Sequence, residues 1–368
     1  MKRFNILFAA ALCLSLYACK KDMTGPSVDD SILNYKIEEI PVTQDYVVGA
    51  FYYSFGGWNA AVKEEPVAGK YSYPNGKLTA GVMSQHINFG VKGGLDYFVF
   101  SFRSPNRDAN NFKSDSTVIR TFIDNNGEGK MKFAMMYNFS TGSYGLSATN
   151  PLEKDKVKLE QFFQDFNRVV PYLKDPGYMK VDGKPMIYIQ NAQVLYSDNN
   201  KAIYDTLRSR LGALGIQAYI VGMQDRWTPP ARYQIRFQGC VDAVYHQSFS
   251  SQPNNWDRWY VLPQAIDQNW KYSKEYFAQN FGADYIPNIT PAYNWLITNP
   301  TSTNPNYPRS DSGALFKQLC NVAKKNASGK TRLIMIDSFN NWQEDMQLEP
   351  ALSYGELYLD IVKKQFKK

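Results

Sequence analysis

Leu333-Ile334-Met335-Ile336-Asp337-Ser338-Phe339-Asn340-Asn341-Trp342-Gln343-Glu344-Asp345-Met346-Gln347-Leu348-Glu349-Pro350 passes from a short apolar run straight into polar, aromatic and acidic residues. The apolar run reads as a buried strand and the rest as the loop at its C-terminal end. In a parallel α/β barrel that end carries the chemistry, because loops there converge on the axis while the strands hold them rigid. The stretch is therefore the first candidate for an active site. Glu344 and Glu349 are its carboxylates, with Asp337 on the strand before them. Trp342 offers a flat apolar face of the kind that stacks on a sugar ring, and Gln347 an amide beside it. The competing reading is a plain loop leading into a helix, with Glu349 and Pro350 as the charge and proline of its first turn.

Working outward, similar runs rich in β-branched and aromatic residues occur at 46–53, 97–102, 132–139, 186–191, 218–223, 242–249, 285–292 and 332–339. Between most of them apolar residues fall at helical spacing, at 79–93, 116–126, 153–173, 201–214, 258–279 and 312–326, with 352–366 after the last. Alternation of this kind predicts parallel βα units, and eight strands make a (β/α)8 TIM barrel. A doubly wound open sheet is the other architecture to weigh, yet the first strand leads into Ser54-Phe55-Gly56-Gly57-Trp58 and not into a dinucleotide-binding glycine pattern. Segment 226–240, with Pro229-Pro230, is the poorest helix, so the fifth crossover is expected to be irregular.

The chain begins differently. Lys2 and Arg3 precede an apolar stretch from Ile6 to Tyr17 that ends in Leu16-Tyr17-Ala18-Cys19, which reads as a secretory signal. With cysteine after the cut, the pattern resembles a bacterial lipobox, so residues 1–18 are expected to be a signal peptide and Cys19 the lipidated N-terminus. Residues 19–44 then form a polar tether, and 45–368 a single barrel domain of about 320 residues. The expected location is the outer membrane of a bacterium, facing the periplasm or the cell surface, with the membrane reached only through Cys19. Partner glycan-degrading proteins would share that location.

Composition narrows the chemistry. The formal charge of +7 is spread out, and the one dense basic cluster, Lys363, Lys364, Lys367 and Lys368, suits a helix end, so no nucleic-acid partner is expected. Histidine is limited to His86 and His246, no zinc, nucleophile-elbow or P-loop pattern occurs, and carboxylate chemistry without metal or cofactor remains. Aromatic residues at 15% suit a carbohydrate ligand. Cys240 and Cys320 read as two buried thiols rather than a disulfide.

Val48-Gly49-Ala50-Phe51-Tyr52-Tyr53 with Trp58 downstream, Gly94-Leu95-Asp96-Tyr97-Phe98-Val99-Phe100, Pro287-Asn288-Ile289-Thr290-Pro291-Ala292-Tyr293 and the block at 338–351 with Tyr354-Gly355 resemble the glycoside hydrolase family 99 and 71 group, whose wider set is labelled WbsX-like. The last block is similar to the family pattern S-F-N-E-W-H-E-G-T-Q-I-E-P. The resemblance covers residues 46–366. It implies a (β/α)8 barrel, metal-free catalysis, and α-mannoside substrates cut within an oligosaccharide or polysaccharide chain. It also implies roles for the two glutamates of E-W-H-E: the first assists the sugar's own 2-hydroxyl in attack, and the second is general acid and then base.

Here the second glutamate is Glu344, but the first is Asn341, and Gln343 and Asp345 replace the family's His and Gly. An amide cannot take a proton, so Asn341 can orient a hydroxyl but not deprotonate it. Three explanations stay open: another carboxylate such as Asp337, Glu349 or Asp96 supplies the second function, catalysis has been lost and binding kept, or the glycoside differs. Asp337, lying on the strand, reads more readily as a carboxylate bonded to barrel neighbours, and His246 is as readily a satisfied buried histidine as a contact to a sugar hydroxyl. The expected mouth residues are Tyr53, Trp58, Arg103, Asn138, His246, Tyr293, Trp342, Gln347 and Glu349 around Glu344, and His86 is read as structural. The alternative to a glycoside hydrolase is a non-catalytic glycan-binding lipoprotein.

Overall fold

The computed structural model describes residues 34–54, 58, 62, 64–71, 78–139, 144–224, 236–247, 262–302, 306–310 and 312–368. The signal segment, Cys19 and the tether as far as 33 lie outside the described residues, as do 225–235 and 248–261. The eight expected strands are strands: β1 (Val47–Tyr52), β2 (Tyr97–Phe102), β3 (Lys132–Asn138), β4 (Lys184–Gln190), β5 (Tyr219–Gln224), β6 (Ala243–His246), β7 in two pieces (Asp284–Tyr285 and Asn288–Ile289) and β8 (Leu333–Ile336). Among the described residues seven α-helices accompany them: α1 (Ala80–Lys92), α2 (Ala109–Asn125), α3 (Lys156–Leu173), α4 (Asn200–Ala213), α5 (Leu262–Phe281), α6 (Ala314–Asn326) and α7 (Leu357–Phe366). The fifth crossover, between β5 and β6, has only turns in its described part.

All eight pair in parallel, β1 with both β2 and β8, and onward round the ring. The ring closes through β7, whose first piece pairs with β6 and whose second pairs with β8. Pro287 stands between the pieces and has no N–H to give, but its carbonyl accepts from Met335 N at 2.8 Å, so the strand carries on through the break. The chain is thus a (β/α)8 barrel rather than an open sheet. Glu38–Lys368 forms one compact unit, and residues expected in the tether already bond to the barrel. Ile40 N donates to Asn321 Oδ1 at 2.9 Å, and Lys324 Nζ donates to the Ile40 carbonyl.

Successive side chains of a strand face opposite ways, and this parity decides what reaches the axis. In β1 the inward set is Gly49 and Phe51, followed by Tyr53. At the bottom the Tyr97 and Tyr188 hydroxyls pair at 2.9 Å, and both lie against Met335 Sδ, at 3.1 and 3.2 Å. Above them Phe51 packs on Tyr188 and Tyr245 with centroids 5.9 and 5.6 Å apart. At the top Tyr53, Gln190, Gln247 and Asp337 surround a small recess floored by Phe51, Met136, Met223 and Tyr245. The barrel is filled below and open only at the C-terminal end of its strands, as layered packing in such barrels requires.

Gly49 shows how tight the bottom layer is. A Cβ there would strike the Tyr97 ring and lie 2.7 Å from Met335 Sδ. Gly49→Ala should therefore destabilise the fold by about 1–3 kcal/mol, the usual cost of overpacking, measured as a lower urea midpoint at unchanged slope; an unchanged midpoint would refute the layer described.

Candidate active site

The loop after β8 folds back on itself. Ser338 N donates to the Met346 carbonyl at 3.0 Å, Leu348 N to Ser338 at 2.9 Å and Glu349 N to Phe339 at 2.9 Å, closing an excursion that holds the 3-10 turn Trp342–Glu344. No helix begins at Glu349-Pro350; α7 starts at Leu357. Phe339 N donates to the Phe51 carbonyl at 2.8 Å, extending the β1–β8 pairing into the loop. The buried Asn340 then locks the next residue of the first strand: its Oδ1 accepts from Tyr53 N at 2.8 Å and its Nδ2 donates to the Tyr53 carbonyl at 3.1 Å. Sequence reading missed Asn340, although its position directly before the site asparagine was a usable signal.

Tyr53, Asp337 and Glu344 are titratable groups that the structure brings within electrostatic reach of one another. The Tyr53 hydroxyl donates to Asp337 Oδ1 at 3.0 Å. Asn341 Nδ2 donates to Glu344 Oε2 at 2.5 Å, and Asn341 N is fixed by Ser338 Oγ at 2.7 Å. Burial pushes the Glu344 carboxyl up to about 7; the Asn341 amide opposes this by bonding the ionised form, and the Asp337 charge adds to it. Burial, then the charges of Asp337 and Glu344, push the Tyr53 hydroxyl well above the ordinary tyrosine range. The three groups therefore share one electrostatic neighbourhood. Such a centre can deliver a proton near neutral pH and keep a second carboxylate beside the point of delivery.

Several expected mouth residues lie elsewhere. Trp342 is fully buried, its ring packed on Val62 and Ala351 with Trp58 against that cluster, so it presents no open face for a sugar. Glu349 is buried as completely: Trp342 Nε1 donates to Oε2 at 2.8 Å, the Tyr71 hydroxyl donates to the same oxygen, and His86 Nε2 sits 3.0 Å from Oε1. Both are props of the loop, which corrects the expectation that they line the mouth. His246 is a correction by parity: Tyr245 and Gln247 face the recess, so His246 points outward, where Nδ1 pairs with the Tyr285 hydroxyl at 2.6 Å. Burial drives its pKa down to about 3, leaving a neutral ring. His86, read as structural, is so, bonded to Tyr52 and Glu349.

The others are intermediate. Trp58 Nε1 donates to the Glu64 carbonyl at 2.7 Å, with Lys70 Nζ 4.6 Å from its ring. Arg103 is committed to Asp115 by two bonds, Nε at 2.9 Å and Nη2 at 2.7 Å. Asn138 ends β3 opposite Gln190, on the same face as Met136. Tyr293 is buried and paired through its backbone with Tyr307. Gln347 Nε2 donates to Asp345 Oδ1 at 3.3 Å and to the Tyr354 hydroxyl at 3.2 Å. Asp345 occupies the left-handed region at φ 56°, the conformation glycine adopts most easily, and Arg309 Nε anchors it at 3.0 Å. That accounts for an aspartate where the family pattern has glycine. Cys240 and Cys320 are buried free thiols, and among the described residues no group of three metal-ligating side chains occurs.

The fold, a filled (β/α)8 barrel with a polar recess at the C-terminal end of its strands, is one that known proteins share. The sequence profile of the family described as glycosyltransferase WbsX matches residues 125–362, and the chain belongs to that family. A solved structure described as a glycoside hydrolase-like protein superposes with TM-score 0.81 at 30% identity, covering 92% of this chain and 99% of that one. The GH99 endo-alpha-mannosidase from Bacteroides thetaiotaomicron, solved with bis-tris-propane, shares the fold at TM-score 0.61 and 17% identity, covering 88% of this chain and 97% of its own. A second structure of that enzyme gives TM-score 0.60 at 16% identity over the same shares. No curated protein matches the chain.

The raised Glu344 pKa has a consequence for stability. Between the unfolded value of 4.5 and about 7, the folded chain keeps a proton that the unfolded chain has lost, so this group's contribution to stability falls as pH rises through that window. Glu344→Gln keeps the shape and an acceptor for Asn341 but removes the charge. It should be more stable than wild type at pH 8, by up to about 3 kcal/mol, with the gain shrinking toward pH 5. Equal unfolding midpoints at pH 8 would show that Glu344 ionises freely in the folded chain.

Proposed function

We propose that this protein hydrolyses a glycosidic bond within an oligosaccharide or polysaccharide, with Glu344 as general acid and then general base. The observation that carries the reading is the half-buried Glu344 carboxyl, held by Asn341 and lying within electrostatic reach of Asp337 and Tyr53 at the top of the filled axis. Cleavage needs one group to protonate the leaving oxygen and a second to manage attack at the anomeric carbon. Glu344 is protonated in the neutral range and supplies the first. Asp337, holding the Tyr53 hydroxyl, supplies the second in place of the carboxylate that Asn341 lacks. Asn341 steadies Glu344 by donating to its Oε2. Once Glu344 has given up its proton it can take one from the incoming water; a sugar hydroxyl in water's place would give glycosyl transfer by the same steps.

The shared fold makes α-mannosides cut within the chain the first substrates to test. On such substrates Glu344→Gln should lower turnover at least ~100-fold, as loss of a positioned acid does. Asn341→Glu should also impair it, by replacing a donor with a like charge. In wild type kcat/KM should fall as pH rises above about 7, where the acid ionises. Turnover indifferent to Glu344→Gln would overturn the assignment. The second reading, a glycan-binding protein without catalysis, is favoured by one observation: Asp337 is buried and its Oδ1 is already taken by the Tyr53 hydroxyl. It predicts no turnover by wild type and a gain of hydrolysis in Asn341→Glu.

The same proposal places the barrel outside the cytoplasm, held to a bacterial outer membrane by lipid on Cys19, on either the periplasmic or the outer face. The support is the Leu16-Tyr17-Ala18-Cys19 pattern after a charged and apolar leader. Cys19→Ala should move the protein from the membrane fraction to the soluble fraction. Retention of the variant in membranes would point to another anchor.

A further inference from the structure

The floor of the barrel, at the N-terminal end of its strands, is where the described chain enters the domain. Ile40 is held there by Asn321 and Lys324, near the end of α6. Arg332, just before β8, donates from Nη2 to the Gln44 carbonyl at 2.6 Å and from Nε to the Asp45 carbonyl at 3.1 Å. Tyr46 N donates to the Phe366 carbonyl at 2.9 Å, and Lys367 Nζ donates to the Tyr46 carbonyl at 2.7 Å. The entering segment is thus pinned across α6, β8 and α7, at the end of the barrel opposite the loop that carries Glu344. A chain anchored anywhere before Ile40 is held by its floor, with its mouth free.

Charge distinguishes the same two ends. Two acids at strand starts on the floor are spent on neighbouring strands. Asp96 accepts from Val48 N at 2.7 Å and from Lys367 Nζ at 2.6 Å, and Asp242 accepts from Ile220 N at 2.8 Å and from Arg208 Nη2 at 2.7 Å. The bases there face outward. Lys130, Lys132, Lys180, Lys363, Lys364 and Lys368 are exposed and outside any ion pair among the described residues; the ion pairs of this end use other lysines. Arg332 and Lys324 add positive charge and bond carbonyls and an amide rather than acids. Against them stand the exposed Glu38, Glu39, Asp45, Asp124 and Glu128, so bases remain in excess. At the mouth end, by contrast, exposed lysines meet acids, Lys70 with Glu65 and Lys201 with Asp205, each at 2.6 Å.

A helix dipole accounts for Lys363 and Lys364 in the last turn of α7. It does not account for Lys132, which begins β3, or for Lys180 in the short hairpin strand that pairs with β4, since sheets carry only small dipoles. The unpaired lysines are spread along the floor from β3 to α7, which suits a broad anionic surface better than a single bound phosphate. We propose that the floor is a docking face for an anionic lipid surface, with the mouth turned away toward the glycan. The inference rests on the lipid-anchor reading above, which supplies a membrane on the side where the chain enters. Each lysine brought near such a surface strengthens attraction about 5-fold, and salt weakens it.

Cys240 and Cys320 are buried, so one fluorophore can be placed by Gln217→Cys on the floor or by Leu352→Cys, where Leu352 is 69% exposed, on the mouth side. In the lipidated full chain on vesicles of phosphatidylglycerol and phosphatidylcholine, nitroxide-headgroup lipid should quench the floor probe at least ~3-fold more than the mouth probe. The full chain carrying Cys19→Ala should bind the same vesicles at least ~10-fold more tightly than vesicles of phosphatidylcholine alone, and should lose that preference in 0.5 M salt or on combining Lys130→Glu, Lys132→Glu, Lys363→Glu and Lys364→Glu. Equal quenching of the two probes would overturn the orientation. Floor quenching that persists unchanged in the charge-reversed chain would show that the tether alone sets it, and would overturn the docking face. So would binding to dextran sulfate without binding to anionic vesicles. If the wild-type chain is recovered without lipid, the anchor reading fails by itself, and the preference of the Cys19→Ala chain for anionic vesicles still decides the docking face.

Discussion

A carboxylate with no exposure to solvent holds the site in place. Glu349 gathers Trp342 from within its own loop, His86 from α1 and Tyr71 from the segment after β1, and His86 passes the tie on to Tyr52 in the first strand. One oxygen pair therefore fixes the loop to two neighbouring parts of the barrel. Burying a charge is unfavourable unless it is fully bonded, so the loop has one arrangement in which this network is complete. The positions of Asn341 and Glu344 follow from it, because the turn that bears them is the arc between Asn340, clamped to Tyr53, and Glu349.

Much of the fold was legible because each barrel strand is an apolar run and most returns are amphipathic helices, a repeat that local composition reveals. Glu344 was legible because it follows such a run and because the surrounding block resembles a family pattern. Direction was not. Whether a residue at a strand end faces the axis or the helical layer depends on register, and a shift of one residue exchanges the two. His246 was placed on the wrong side for this reason, and its neighbours Tyr245 and Gln247 took the inward places. Trp342 and Glu349 misled for a different reason: an aromatic and an acid in a site loop look the same whether they meet a ligand or each other, and only the Trp342 Nε1 to Glu349 bond distinguishes the two.

The departures from the family pattern are locally compensated. Asn341 gives Glu344 a hydrogen-bond donor where the pattern has a carboxylate, which lowers the acid's pKa against the burial that raises it. Asp345 accepts a left-handed backbone that glycine would adopt freely, and Arg309 secures it through both its side chain and its carbonyl. Arg309 also reaches the Gln347 carbonyl, so the same cation that stabilises the departure braces the return of the loop.

The divided seventh strand gives the ring a seam. β7 meets each neighbour through only a two-residue piece, with Pro287 unable to donate between them, whereas β1 and β8 pair along their lengths and continue through Phe339 into the site loop. Opening fluctuations favour the stretch with the fewest ladder bonds. Amide protons near Asp284–Ile289 would then exchange before those of β1, and the cylinder would part along the side that leads to Asn294 and Arg309. Tyr53 and Asp337 would be held by the β1–β8 pairing while it did so.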